Sequence, residues 1–475
     1  MRWALAVVVL VGTGLRVHAL DSGLWFDEIV TLIESVRAPL ARIVTHFPGN
    51  NDHPLYSALA HVSIAAFGEH AWSLRLPALA FGIGALPMLY MLGASVTGRF
   101  EALSATILLA VSYHHVWFSQ NARGYTILLF GALLGTHLLL IALRDNRRGA
   151  YVGYAVVSAL GAYTHLTMVL VVLGQAGVVA GHIWARRAGR LERRDWLNPL
   201  AGFALAGLLT LVLYAPFLLD VHAFFGRESP GARVATAGWA LGETVRGLQR
   251  GYAVGGGVVL GGLIFLTGCW SYVRQSPTVL ALFFVPGAVL FAAAMLLQRP
   301  IFPRFFLFLA GFALLIVVRG ALTMVGWIAP WLPGRGLEER YRRLLPIALV
   351  GGMAIFSMMA LPYGYRYPKQ DYEAALRFVE AQVGANDVVA VIGLGTALPY
   401  QRYYGRPWRR LAGAADLAAT RQGHDTVWLL YTFKSYIETL EADLMSEVLA
   451  RCTPVTTFPG TIAGGSIVVT KCGAG

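Results

Sequence analysis

Apolar stretches of spanning length recur along almost the whole chain, and they constrain the fold more than any other feature. A helix that crosses a bilayer needs about 20 mostly apolar residues. Segments of that kind lie near 3–20, 74–93, 101–118, 125–143, 150–164, 166–184, 198–219, 253–272, 278–297, 305–326 and 344–361. The window criterion therefore predicts about eleven spans. Only 13% of the residues are charged and 57% are hydrophobic, whereas soluble domains carry roughly 25% charged residues. The opening segment lacks a small-residue cleavage site and is followed by further spans, so it reads as a retained helix and not as a signal peptide.

The formal charge of +13 comes almost wholly from arginine, with lysine only at 369, 434 and 471. Nucleic-acid binding would gather these charges on one soluble face. Here they fall in alternate short connections: Arg99; Arg144, Arg147 and Arg148; Arg186 to Arg194; Arg274; and Arg335 to Arg343. The positive-inside rule places those connections in the cytoplasm, with the N-terminus inside and the C-terminus outside. This count treats the short apolar stretch 54–68 as a helix lying on the outer surface.

Polar groups then gather on the outer face. Asp27 and Glu28 follow the first span at the start of a short helix. Asp52 and His53 precede Pro54, which favours a first helical turn with free N–H groups suited to an anion. Gln120, Asn121, Arg123 and Tyr125 end the third span, His165 reaches the same level, and Arg299 and Arg304 lie between the ninth and tenth. Taken singly, each has a plainer role. Acids stabilise a helix N-terminus, arginines at span ends snorkel to headgroups, and a histidine there is commonly just hydrogen-bonded. Taken together, a carboxylate and several guanidinium groups suit transfer from a lipid phosphate, the acid accepting a proton and the arginines holding the phosphate. The alternative, a transporter or flippase of a lipid-linked substrate, would show internal repeats and ionisable groups near mid-membrane. A non-catalytic scaffold would leave the acidic pair unexplained.

Five motifs occur in order over residues 1–310: "LWFDE", "DHPLY", "SLRLPAL", "HVWFSQNARGYTILL" and "YTH". In these the chain resembles the family-39 glycosyltransferases of the GT-C superfamily, which include protein O-mannosyltransferases and the lipid A aminoarabinose transferase. The resemblance implies an inverting transferase that moves a sugar from a polyprenyl-phosphate donor to a lipid, glycan or protein acceptor. It implies Asp27 as base with Glu28 as its partner, and His53, Arg123, Arg304 and Arg299 as donor-phosphate ligands. Asp52, Gln120, Tyr125 and His165 fall in the substrate vicinity. No cofactor is certain; a divalent metal is a candidate, with Asp52 and His165 as ligands. No nucleic-acid partner is expected, and the localisation implied is the bacterial inner membrane.

After residue 361 the pattern changes. Helix-like and strand-like segments alternate, which predicts a C-terminal α/β domain over 362–475 with a largely parallel sheet. The fold class expected is thus a mainly α polytopic membrane protein, residues 1–361, with catalytic acids in an external loop 21–73, followed by an extracytoplasmic α/β domain. "GLGTAL" after a strand reads as a turn, since it lacks the third glycine of a dinucleotide fingerprint. Cys452 and Cys472 flank the last two strand-like segments, and in an oxidising compartment they would bridge. The amphiphilic stretch 220–252 reads either as a lid over the donor or as a loop lying on the membrane.

Overall fold

The computed structural model describes residues 1–475 apart from 48, 50–51, 188–191, 228–229, 253–254, 329–337 and 474–475. The Arg-rich connection expected at 335–343 therefore begins outside the described residues. The chain starts with helices α1 (Arg2–Val17), α2 (Phe26–Val30), α3 (Leu40–Ile43), α4 (Pro54–Phe67), α5 (Ala71–Val96), α6 (Arg99–Ala110), α7 (Tyr113–Ser119) and α8 (Tyr125–Asp145). A single wide turn, Thr31–Val36, extends α2. Among the described residues, seven helices are long and apolar enough to cross a membrane by length and composition: α5, α8, Thr167–Ala185, Arg193–Gly226, Pro277–Leu296, Pro303–Ile328 and Leu344–Arg366. With α1, α6, Arg148–Thr164 and Gly255–Gln275 beside them, the chain is a multi-pass membrane protein.

The segment expected to span at 101–118 is broken. α6 stops at Ala110, the chain turns at Val111 and Ser112, and α7 starts afresh with Ser112 Oγ accepting from the His115 N–H at 3.4 Å. A helix end in an apolar setting needs partners for its last carbonyls. Arg16 of α1 supplies them: its guanidinium donates to Ala110 O at 2.9 Å and Leu109 O at 3.1 Å, and meets His115 Nδ1 at 2.5 Å. The arginine inside the first apolar stretch is thus a cap for another helix.

Small residues set the packing of the bundle. Gly174 faces the backbone of Pro286, where an added Cβ would sit 2.7 Å from its Cα, so Thr167–Ala185 and Pro277–Leu296 pack at close range. Leu86, Leu89, Leu92, Leu128, Leu129 and Leu133 fill the centre between α5 and α8. The stretch 220–252 is helical, not a loop, in the pieces Leu218–Gly226, Pro230–Arg233 and Ala237–Tyr252. It is tied down by Asp220, which accepts from the Phe47 N–H at 2.9 Å, and by Ala235 O, which accepts from the Ile301 N–H at 2.9 Å.

The C-terminal region forms a five-stranded sheet in the order β2-β1-β3-β5-β4, with β1 Val388–Ile392, β2 Arg409–Arg410, β3 Thr426–Tyr431, β4 Cys452–Phe458 and β5 Ile467–Gly473. The expected parallel pairing holds for β1 with β2 and with β3, whereas β5 is antiparallel to both β3 and β4. The sheet is therefore mixed. Residues 459–466 join β4 to β5 and are too few for the crossover that a parallel pair requires. Cys452 and Cys472 lie opposite each other in that hairpin and are bonded. Helices Ala414–Gln422, Lys434–Leu440 and Ala442–Arg451 connect the strands, the last two separated at Glu441. Gly393, at φ 76°, turns the chain out of β1.

The sheet is not an appendage. Leu24, Ile29, Leu32 and Val36 of the loop after α1 share one continuous buried cluster with Tyr56, Leu74, Tyr372, Leu376, Val391, Trp428 and Val469. The loop after α1 and the C-terminal domain are thus two halves of one core, set against the ends of α5 and α8.

Candidate active site

Asp27 stands in the first turn of α2, and its carboxylate meets Arg304 Nη1 at 3.0 Å. The backbone that carries it is clamped from both sides. The Phe26 N–H donates to Gln370 Oε1 at 2.9 Å, and Trp25 Nε1 donates to Asn121 Oδ1 at 3.1 Å. Both side chains keep some access to the exterior, 9% for Asp27 and 26% for Arg304. The Arg304 guanidinium lies over the Phe302 ring, 4.4 Å from its centroid, which fixes its plane.

Glu28, the neighbouring acid, has a different fate. It is fully buried and takes a two-point ion pair from Arg75, Nε to Oε1 at 2.7 Å and Nη2 to Oε2 at 2.6 Å. The Ala122 N–H adds a bond at 2.7 Å and the Trp25 N–H closes a cap on α2 at 3.3 Å. Burial alone would raise its pKa, but the Arg75 and Lys369 charges and these donors hold the carboxyl below its ordinary value. Arg75 in turn donates to the carbonyls of Leu20 and Ser22 at 2.7 Å and of Gly23 at 3.1 Å. Glu28, expected as the partner of Asp27, therefore anchors the loop to α5 through Arg75.

His53, Tyr125 and His165 form a ring cluster. His53 lies 5.3 Å from Tyr125 and 5.0 Å from His165 between ring centroids, and His165 lies 5.3 Å from Phe305. A carbonyl can only accept, so His53 Nδ1 carries the proton it gives to Thr164 O at 3.0 Å, leaving Nε2 as an acceptor. His165 is the opposite tautomer, because its Nδ1 accepts from the Thr167 N–H at 3.1 Å. Burial first, and then Arg123, depresses both imidazoles, His165 to about 3 and His53 well below its ordinary value. Both are neutral rings at physiological pH. Gly124 seats His53: a Cβ there would stand 3.0 Å from Nδ1. Arg123 is buried behind the cluster and donates to Thr31 Oγ1 at 3.2 Å.

Three candidates are engaged elsewhere. Arg299 donates to Phe225 O at 2.5 Å and Arg227 O at 3.4 Å, capping the helix Leu218–Gly226. Gln120 donates to Arg16 O at 3.0 Å and His18 O at 2.5 Å, closing the end of α1. Asp52 accepts from Ser35 Oγ at 3.1 Å, Ser57 Oγ at 3.3 Å and the His53 N–H at 3.0 Å, and burial pushes its carboxyl up to about 6. The start of α4, read from sequence as an anion site, thus holds the protein's own carboxyl. Among the described residues no group of three His, Cys, Asp or Glu side chains could hold a metal ion.

Two groups were missed in the sequence. Lys369, one of three lysines, is buried between Gln120 O at 2.6 Å and Glu28 at 4.0 Å; burial and Arg75 lower it to about 7 against the pull of Glu28. Tyr436 of the C-terminal domain is within electrostatic reach of both Asp27 and Arg304.

The family described as dolichyl-phosphate-mannose-protein mannosyltransferase matches residues 51–219. The apo structure of ArnT from Cupriavidus metallidurans superposes with a TM-score of 0.52 at 14% identity, over 98% of this chain and 97% of that one. The oligosaccharyltransferase of Archaeoglobus fulgidus in complex with Zn and sulfate gives 0.56 at 11%, over 98% and 72%. AglB from the same organism, in complex with an inhibitory peptide and a dolichol-phosphate, gives 0.53 at 11%, over 98% and 73%. The fold is that of the GT-C superfamily. Searched by sequence against curated proteins, the chain has no significant match. Within this fold, the acid after the first helix, the short helices of the loop that follows it and the C-terminal domain packed on them form one continuous unit.

Proposed function

We propose that the protein is an inverting glycosyltransferase that moves a sugar from a polyprenyl-phosphate-linked donor to a lipid, glycan or protein acceptor at the outer face of the bacterial inner membrane. The observation that carries this reading is the partly accessible Asp27–Arg304 pair at the end of the bundle. The GT-C fold supports it, as does the dolichol-phosphate that the AglB neighbour binds.

The two charges divide the work. The acceptor's hydroxyl or amine attacks the anomeric carbon from the side opposite the phosphate and gives its proton to the Asp27 carboxylate. The bond between the anomeric carbon and the phosphate oxygen breaks, and polyprenyl phosphate leaves. Arg304, turning from Asp27 to the donor, takes the charge that grows on that oxygen, with Arg123 behind it. The ion pair of the resting protein holds the two side chains against each other until the sugar separates them.

Binding of undecaprenyl phosphate tests the assignment directly. Wild-type protein in detergent is expected to bind it, and Arg304→Ala to bind roughly tenfold or more weakly, as for loss of a charge-assisted contact, with little change in thermal midpoint. Equal affinity in the two proteins would remove Arg304 from the donor site.

The same reading fixes the topology. α4 has 14 residues and rises about 21 Å, short of the roughly 30 Å hydrocarbon core. It packs on the loop that carries Asp27 and lies on the membrane surface. The N-terminus is then cytoplasmic and the Cys452–Cys472 hairpin outside, where disulfides persist. A reporter active only outside the cytoplasm, fused after Gly475, is expected to give signal; a reporter active only inside would reverse the assignment.

A further inference from the structure

Tyr436 sits on the short helix Lys434–Leu440 of the C-terminal domain, far in sequence from every other group of the site. Its placement is set by an unusual residue. Phe433, which begins that helix, has φ 53°, a left-handed conformation that few non-glycine residues adopt and that persists only where the surroundings enforce it. Here they do. The Phe433 N–H donates to Gly464 O at 2.9 Å, and its ring meets Phe26, the residue before Asp27, edge to face at 6.1 Å. An added Cβ on Gly395 would come within 2.9 Å of the same ring. The Tyr436 N–H then bonds Phe433 O at 2.8 Å. A left-handed residue locked against the acid's own neighbour therefore aims the tyrosine.

Its hydroxyl reaches the turn Pro230–Arg233, where a Cβ on Gly231 would be 3.1 Å from it. On the other side the tyrosine senses the opposite charges of Arg304 and Asp27, the arginine lowering and the aspartate raising its pKa. Burial is the larger influence and raises it, so the hydroxyl keeps its proton and can donate. A phosphate monoester seated at Arg304 would use that donor, because it presents several acceptor oxygens.

We propose that Tyr436 is a donor-phosphate ligand contributed by the C-terminal domain, its hydroxyl giving a hydrogen bond to the lipid phosphate beside Arg304. This rests on the glycosyltransferase reading above and extends it: the domain supplies part of the donor site. Phosphate release and the position of the C-terminal domain are then coupled through a single side chain.

Binding of undecaprenyl phosphate to the full-length protein in detergent distinguishes the cases. Wild type is measured first, and absence of binding there overturns the underlying reading and this proposal with it. Given wild-type binding, Tyr436→Phe keeps the ring and removes only the hydroxyl, and is expected to weaken affinity roughly tenfold or more, as for a hydrogen bond to a charged group, with the thermal midpoint unchanged. Unchanged affinity overturns the proposal while leaving the function standing. Should Tyr436→Phe lower the midpoint, the decision passes to Gly231→Ala, which keeps the hydroxyl but crowds it. Weaker binding in that variant supports the contact, and wild-type binding rejects it.

Discussion

Asp27→Asn is expected to slow sugar transfer by about 10²–10⁴, the usual worth of a positioned general base, while the protein stays folded and binds undecaprenyl phosphate normally. The amide keeps the shape of the carboxylate but cannot take the acceptor's proton. Stability should hold because Arg304 is 26% exposed, and an ion pair with access to water contributes about 0–1 kcal/mol. Single-turnover assays with preloaded donor, run beside thermal unfolding in detergent, separate the two effects. Transfer near the wild-type rate would exclude Asp27 as the base.

The same isosteric change one residue on should do the reverse. Glu28→Gln leaves Arg75 fully buried without its counter-charge, and one amide oxygen cannot accept all the donors that now converge on two carboxylate oxygens. Breaking a buried pair in this way costs about 3–5 kcal/mol. The expected outcome is a large fall in thermal midpoint and poor recovery of protein, with whatever folds still able to bind the donor. A Glu28→Gln protein as stable as wild type but inactive would restore Glu28 to the chemistry.

Adjacent carboxylates with such different surroundings show where the sequence stops being readable. That an acid follows the first span could be seen, since lipid excludes charge from the span itself and its position is set by hydropathy. Which of the two acids faces the open site depends on Arg75, whose motif "SLRLPAL" was visible but whose partner is fixed only by the folded loop. The apolar segments were legible for the same reason that the break at Ala110 was not. Hydropathy reports what lipid tolerates, while the break is stabilised by Arg16 arriving from another helix. Arg299 and Gln120 look like ligands in sequence because a polar residue at a span end serves equally to cap backbone carbonyls. The antiparallel half of the sheet follows from a short link whose length was visible, but the pairing of β3 with β5 is a tertiary choice. Tyr436 lies in a helix with no feature of its own that would mark it.

The buried cluster shared by the loop after α1 and the C-terminal sheet bears on how the protein comes into being. Asp27 is made long before β5, which follows it by more than four hundred residues, so the acid waits while everything between them is synthesised before its surroundings close. A nascent chain halted anywhere before the final strand would carry the acid yet lack its walls, and would present Leu24, Ile29 and Leu32 to any chaperone or protease outside the membrane. For the same reason, the C-terminal domain cannot be exchanged alone without exposing half of that cluster. The loop 21–73 has to travel with it, because the two segments have been selected as the facing sides of a single interior.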